Sequence, residues 1–153
     1  MLIGVFLTLS IAIALIINSK QQKLHKEFPF KITLQNKDTL YLRNYTDKPF
    51  IIYFVDPECD ACAIEMKRLS KKIDQVLSEY YLLFIVMNDR GNIASYLSQL
   101  HIYPKSGVFI GVDYSFKVWD YYHIEHIPTI IMLDKHFIAR KKLSSLKYLL
   151  DTL

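Results

Sequence analysis

Two unbroken apolar runs constrain this chain more than any other feature: Phe50 to Val55 (FIIYFV) and Tyr81 to Met87 (YLLFIVM). A strand with one wet face alternates apolar and polar residues, and neither run does. Strands without alternation are covered on both faces, the usual setting of parallel strands joined by crossover helices. The intervening stretch fits that role. At about 100° per residue, Cys62, Met66, Leu69, Ile73, Val76, Leu77 and Tyr80 share a narrow arc, while Lys67, Arg68, Lys71, Asp74 and Glu79 fall elsewhere. Asp56-Pro57 closes the first strand, and a helix is expected from about Cys59 to Tyr80. A right-handed crossover makes the flanking strands parallel.

The rest of the chain adds to this βαβ unit. Phe28 to Leu42 reads as an edge hairpin turning at Asn36-Lys37-Asp38. Asn92 to Leu100 suits a short helix, Val108 to Gly111 a strand, and Ser115 to Tyr122 another helical piece. Pro128 to Leu133 is expected as a strand, Asp134-Lys135 as a tight turn, and Phe137 to Ala139 as the antiparallel return. Leu146, Leu149, Leu150 and Leu153 mark a closing helix over Ser144 to Leu153. The length suits one domain of ordinary size, placed at residues 28–153.

Residues 1–27 are set apart. Leu2 to Ile17 carries no charge and just reaches, with Asn18 and Ser19, the length of a short membrane span. Residues 1–19 are read as a transmembrane anchor or uncleaved signal, since neither a basic leader nor a small-x-small cleavage site is evident. Residues 20–27 are read as a tether. Lys20, Lys23 and Lys26 follow the anchor, which by the positive-inside tendency favours a cytoplasmic domain. The chemistry developed below favours the extracytoplasmic side, and the orientation stays open. The net charge of +4 is spread along the chain with no long basic run, which argues against nucleic-acid binding.

The chemistry resides in Cys59-Asp60-Ala61-Cys62, the only two cysteines of the chain. They fall where a buried strand meets a long helix. A helix N-terminus stabilises a thiolate through its free N–H groups and dipole, and two intervening residues bring the sulfurs within bonding range. Cys62 leads the buried arc and Cys59 precedes it. Cys59 is therefore expected to attack a substrate, and Cys62 to resolve the mixed disulfide. Two other readings stand beside thiol exchange. A copper or zinc site would join the cysteines to a histidine, with His123 and His126 at i, i+3 spacing, although a closed structural site needs four ligands. A redox-inert scaffold would bind partners through the groove beside Pro128. Covalent haem attachment needs His after the second Cys, and position 63 is Ala.

Pro128 opens a strand after His126-Ile127. A cis proline there would leave backbone groups free to pair with an extended substrate.

On FIIYFVDPECDAC, on VWDYYHIEHIPTIIMLD and on the N-terminal anchor, the chain resembles the thioredoxin superfamily. Within it, the resemblance is to the membrane-anchored, TlpA-like thiol–disulfide oxidoreductases. It covers roughly Phe28 to Leu153. It implies a thioredoxin-like α/β fold, a central mixed sheet flanked by helices, with an inserted segment between strand 81–87 and the helix near Trp119. It also implies Cys59 and Cys62 as the reacting pair, Pro128 as the cis proline, and Asp60, Ala61, Ile127 and Pro128 as the substrate-binding residues. Glu65, three residues after Cys62, matches a Glu that such proteins often carry, and would raise the thiol pKa values. Two positions depart from the pattern: Glu58 replaces the usual Trp, and Ala61 the usual Pro. Glu58 and Asp60 oppose a thiolate on Cys59, which points to a reductant. The expected activity is dithiol–disulfide exchange, with no cofactor beyond the cysteines. The expected partners are cysteine-containing protein substrates and a redox partner protein.

Overall fold

The computed structural model describes residues 31–87 and 92–151. The expected anchor and tether lie outside the described residues, and no described helix is long and apolar enough to cross a membrane. Two edge strands come first, β1 (Ile32–Leu34) and β2 (Thr39–Leu40), followed by a 3-10 turn at Leu42–Asn44. Then come β3 (Phe50–Phe54), α1 (Asp60–Ser70), α2 (Ile73–Glu79), β4 (Tyr81–Val86) and α3 (Ile93–Gln99). The chain continues as β5 (Val108–Val112), α4 (Lys117–Tyr121), β6 (Thr129–Leu133), β7 (Ala139–Leu143) and α5 (Lys147–Leu150).

The strands form one seven-stranded sheet in the order β2-β1-β5-β4-β3-β6-β7. β3, β4 and β5 run parallel at its centre, whereas β6 pairs antiparallel with β3, β7 with β6, and β1 with both β5 and β2. The lack of alternation in the apolar runs now has its cause. Ile51, Tyr53 and Val55 of the β3 segment face a core shared with Cys62, Met66, Leu69, Ile73, Val76, Leu97 and Leu149. Phe50, Ile52 and Phe54 face a second core with Ile32, Leu40, Val118, Tyr122 and Ile124. Helices α1, α2, α3 and α5 thus pack on one face, and α4 packs on the other, where Ile32, Leu40 and Leu42 add their side chains. At Gly111 of β5 a Cβ would run into the side chain of Ile32 on the neighbouring strand.

The expected helix from Cys59 to Tyr80 is two helices. Ser70 Oγ donates to the Lys67 carbonyl at 2.9 Å. The next two amides, of Lys71 and Lys72, bond three residues back, to Arg68 and Leu69. This tightened turn ends α1, and α2 restarts with its apolar residues on the same core. The expected inserted segment supplies α3 and β5, which extend the parallel part of the sheet.

Candidate active site

The site is built on the edge of the sheet where β3 ends. Asp56 turns the chain: its Oδ1 accepts the Glu58 amide at 2.8 Å and its carbonyl the Cys59 amide at 3.1 Å. Cys59 is left extended (φ −89°, ψ 108°) as the N-cap of α1. Its Sγ accepts the Cys62 N–H at 3.1 Å, the place that a Ser or Asp oxygen takes in an ordinary cap. Sequence spacing therefore yields a sulfur held against the free amides of an eleven-residue helix.

Cys59 and Cys62 are joined in a disulfide, with their Cα atoms 5.2 Å apart. Cys62 is fully buried and anchored in the core with Met66 and Leu69, whereas Cys59 is only half-buried. Asp60 and Ala61, between them, are exposed. Register brings the second half of the site alongside: Thr129 pairs with Phe54, so Ile127-Pro128 sits at the edge from which the Asp56 turn leaves. The Ile127–Pro128 peptide bond is cis. Ile127 is half-buried and packs on the same core as Cys59. Among the described residues its backbone makes no turn or loop hydrogen bond.

Glu65 is buried at 7% exposure, one turn beyond Cys62. Its carboxylate accepts three hydrogen bonds, from Arg68 Nη1 (2.9 Å), Ser145 Oγ (3.0 Å) and the Leu146 amide (2.7 Å). It ties α1 to the segment that enters α5.

Sequence reading missed two features near the site. Tyr53 of β3 is fully buried in the same core as Cys62, and among the described residues its hydroxyl has no partner. Burial above all, then the field of Glu65 and of Tyr96, pushes this phenol well above the ordinary tyrosine value. It stays protonated across the whole working range of a thiol. The available signal was a single hydroxyl inside an otherwise hydrocarbon run. Asp113, also buried, accepts the amides of Lys117, Val118 and Trp119 at 3.1, 2.9 and 3.0 Å, and so caps α4. That helix sets Trp119 edge-on to Phe54, with centroids 5.7 Å apart. Here the signal was an Asp just before a helical stretch.

His123 and His126 are exposed. Among the described residues no group of three or more His, Cys, Asp or Glu side chains is placed to hold a metal ion.

No protein family model matches the chain, and no curated protein does. Solved structures do. An exposed lipoprotein thioredoxin (Etrx1) of Streptococcus pneumoniae superposes with a TM-score of 0.59 at 18% identity, covering 81% of this chain and 98% of that one. A thiol:disulfide interchange protein from Bacteroides sp. gives 0.66 at 17% identity, over 84% and 86%. A secreted disulfide oxidoreductase of Mycobacterium tuberculosis, homologous to DsbE of E. coli, gives 0.64 at 16% identity, over 86% and 98%. At such identities the likeness is one of architecture: the chain adopts the thioredoxin-like fold.

Proposed function

We propose that this chain is a thiol–disulfide oxidoreductase acting on cysteine-containing protein substrates, and that it works as a reductant. The observation that carries the reading is the unequal burial of a bonded pair at a helix start: a half-buried Cys59 capping α1 and a fully buried Cys62 behind it. In the dithiol state, the Cys59 thiolate attacks a substrate disulfide sulfur. The S–S bond of the substrate breaks, a mixed disulfide forms, and the departing substrate sulfur takes a proton. Cys62 then attacks Cys59 Sγ, releases the second substrate thiol, and closes the Cys59–Cys62 bond. Two electrons pass to the substrate, and a dithiol redox partner must return them. An extended substrate lies along Ile127-Pro128 and pairs with the free backbone of Ile127, with Asp60 and Ala61 forming the opposite wall. Glu65 places a buried carboxylate one turn behind Cys62, and the part of its charge that Arg68 leaves unmatched raises the thiol pKa values. Glu58 and Asp60 act in the same sense on Cys59.

The secreted and exposed thioredoxin-like proteins among the structural neighbours support an extracytoplasmic site of action. The TlpA-like resemblance supports anchorage through residues 1–19.

Trapping tests the reading. The Cys62→Ser variant of the full chain should accumulate mixed disulfides with protein substrates through Cys59, visible as reductant-sensitive bands on non-reducing gels. Cys59→Ser should accumulate none. Equal trapping by both variants would reverse or abolish the assigned roles.

A further inference from the structure

The surroundings of the disulfide run against the charge of the chain. The chain as a whole is basic, with 19 Lys and Arg against 15 Asp and Glu. Yet the two segments that frame the site, Pro49 to Met66 and Asp120 to Asp134, contain no Lys or Arg at all. Their carboxylates at the site edge are also unneutralised. The ion pairs among the described residues join Glu65 to Arg68, Asp74 to Lys105 and Asp134 to Arg140. Glu58 and Asp60, on either side of Cys59, and Glu125, two residues before Ile127, are exposed and have no side-chain hydrogen bond or ion pair among the described residues. Asp56, in the turn itself, spends one oxygen on the Glu58 amide.

Most of the bases lie elsewhere. Arg68, Lys71, Lys72 and Lys147 line a groove of ≈ 310 Å³ beyond the far end of α1. Lys31 and Lys117 flank the ends of β1 and β5, two or three strands away from β3. The base that comes to the framing segments is Lys142, whose Nζ is taken up by the carbonyls of Tyr122 and His123 at 3.2 and 2.7 Å and, among the described residues, makes no ion pair with Glu125.

Glu58 and Asp60 flank the reactive sulfur and oppose its thiolate, and only Asp60, in the first turn of α1, has a structural use for its charge. Their effect on an incoming chain is large, because a field of one sign around a site gathers substrates of the other sign and steers their encounter. Exposed Ile64, on the outer side of α1, adds an apolar contact next to this ring. We infer that the substrate of this dithiol is basic: an extended cysteine-containing segment whose sulfur is flanked by Lys or Arg, received between Glu58 and Asp60 on one side and Glu125 on the other. The inference rests on the dithiol-exchange reading above and names its substrate class.

The test uses the full chain, reduced with excess dithiothreitol and then freed of it, and two disulfide-linked peptides of equal length. One carries lysines around its cysteines and the other glutamates. Each reduction moves two electrons from Cys59 and Cys62 to the peptide disulfide, leaving two peptide thiols. The rate with dithiothreitol alone, an uncharged dithiol, corrects for the intrinsic reactivity of each peptide. After that correction, the basic peptide should react on the order of tenfold faster at low ionic strength, and the advantage should shrink to about twofold in 0.5 M salt. A Glu58→Gln, Asp60→Asn, Glu125→Gln variant should bring the ratio close to one. Altered thiolate content in that variant changes both rates alike and cancels in the ratio. Equal corrected rates in the parent chain, or a preference that survives the triple substitution or high salt undiminished, would overturn the inference while leaving dithiol exchange intact. Reduction of neither peptide would overturn the exchange reading itself.

Discussion

Of the three donors on the Glu65 carboxylate, helical spacing anticipates only Arg68, at i+3. Ser145 and Leu146 reach it from 80 and 81 residues away. Sequence put Glu65 three residues after Cys62, and the fold gave it a second duty, holding the chain at the entrance to α5. Truncating it would strand the buried Leu146 amide, a loss of about 1–3 kcal/mol for that group alone, with the Ser145 bond added. Glu65→Ala should therefore lower stability to urea unfolding by about 2–4 kcal/mol, in oxidised and reduced protein alike. A change below about 1 kcal/mol would mean that the contact contributes little to holding α5. Cys59 and Cys62 needed no such distant partner, since a strand end, a turn residue and a helix start are all local, and their placement was legible from the residues themselves.

At the scale of elements, the β6–β7 hairpin shows how a side chain can displace a strand. The return strand, expected at Phe137 to Ala139, begins only at Ala139. Asp134 is the cause. Its Oδ1 accepts the amides of His136 and Ile138 at 2.8 and 3.0 Å, its Oδ2 accepts Arg140 Nε at 2.7 Å, and Phe137 adopts a positive φ of 61°. The loop is thus held by a carboxylate rather than closed as a two-residue turn. Burial tends to raise the pKa of Asp134, but the Ile138 amide, Arg140 and the His136 amide outweigh it, so the carboxyl titrates below its ordinary 3.8. A depressed folded-state pKa contributes stability that is present above the unfolded value and lost as pH falls through the folded one. Asp134→Asn should lower Tm at pH 7, and the gap to the parent should close as pH falls beneath the ordinary 3.8 and through the lowered folded-state pKa; a gap independent of pH would remove the charge from the explanation. The same distinction between local and distant causes decides what else was legible. The edge hairpin, the parallel pair and β6 follow from apolar patterning and turn residues. The break between α1 and α2 depends on how Ser70 spends its hydroxyl, and the short span of α5 on a tie to Glu65; neither is written in periodicity.

Over the whole molecule, redox state and folding are linked. The disulfide carries no charge, whereas the dithiol state must hold a thiolate on Cys59 or keep it protonated. Two effects oppose each other in the folded protein. The Cys62 amide and the start of α1 favour the thiolate, an effect of about 0.3–2 kcal/mol. Glu58 and Asp60, exposed on either side of Cys59 and without an ion pair among the described residues, disfavour it through water-screened repulsion, while the buried Glu65 has its charge met by Arg68. With two unpaired carboxylates against one helix start, the balance is expected to fall on the side of the disulfide. By linkage, whatever the fold adds to the disulfide relative to the dithiol appears as a lower reduction potential, about 30 mV for each 1.4 kcal/mol. The oxidised chain should therefore unfold at a higher temperature than the reduced chain, and neutralising Glu58 and Asp60 together should narrow the difference. Thermal unfolding with and without a reductant measures both. A reduced form that melts above the oxidised one would mark the protein as an oxidant, because the fold would then be stabilising the dithiol it is proposed to give away.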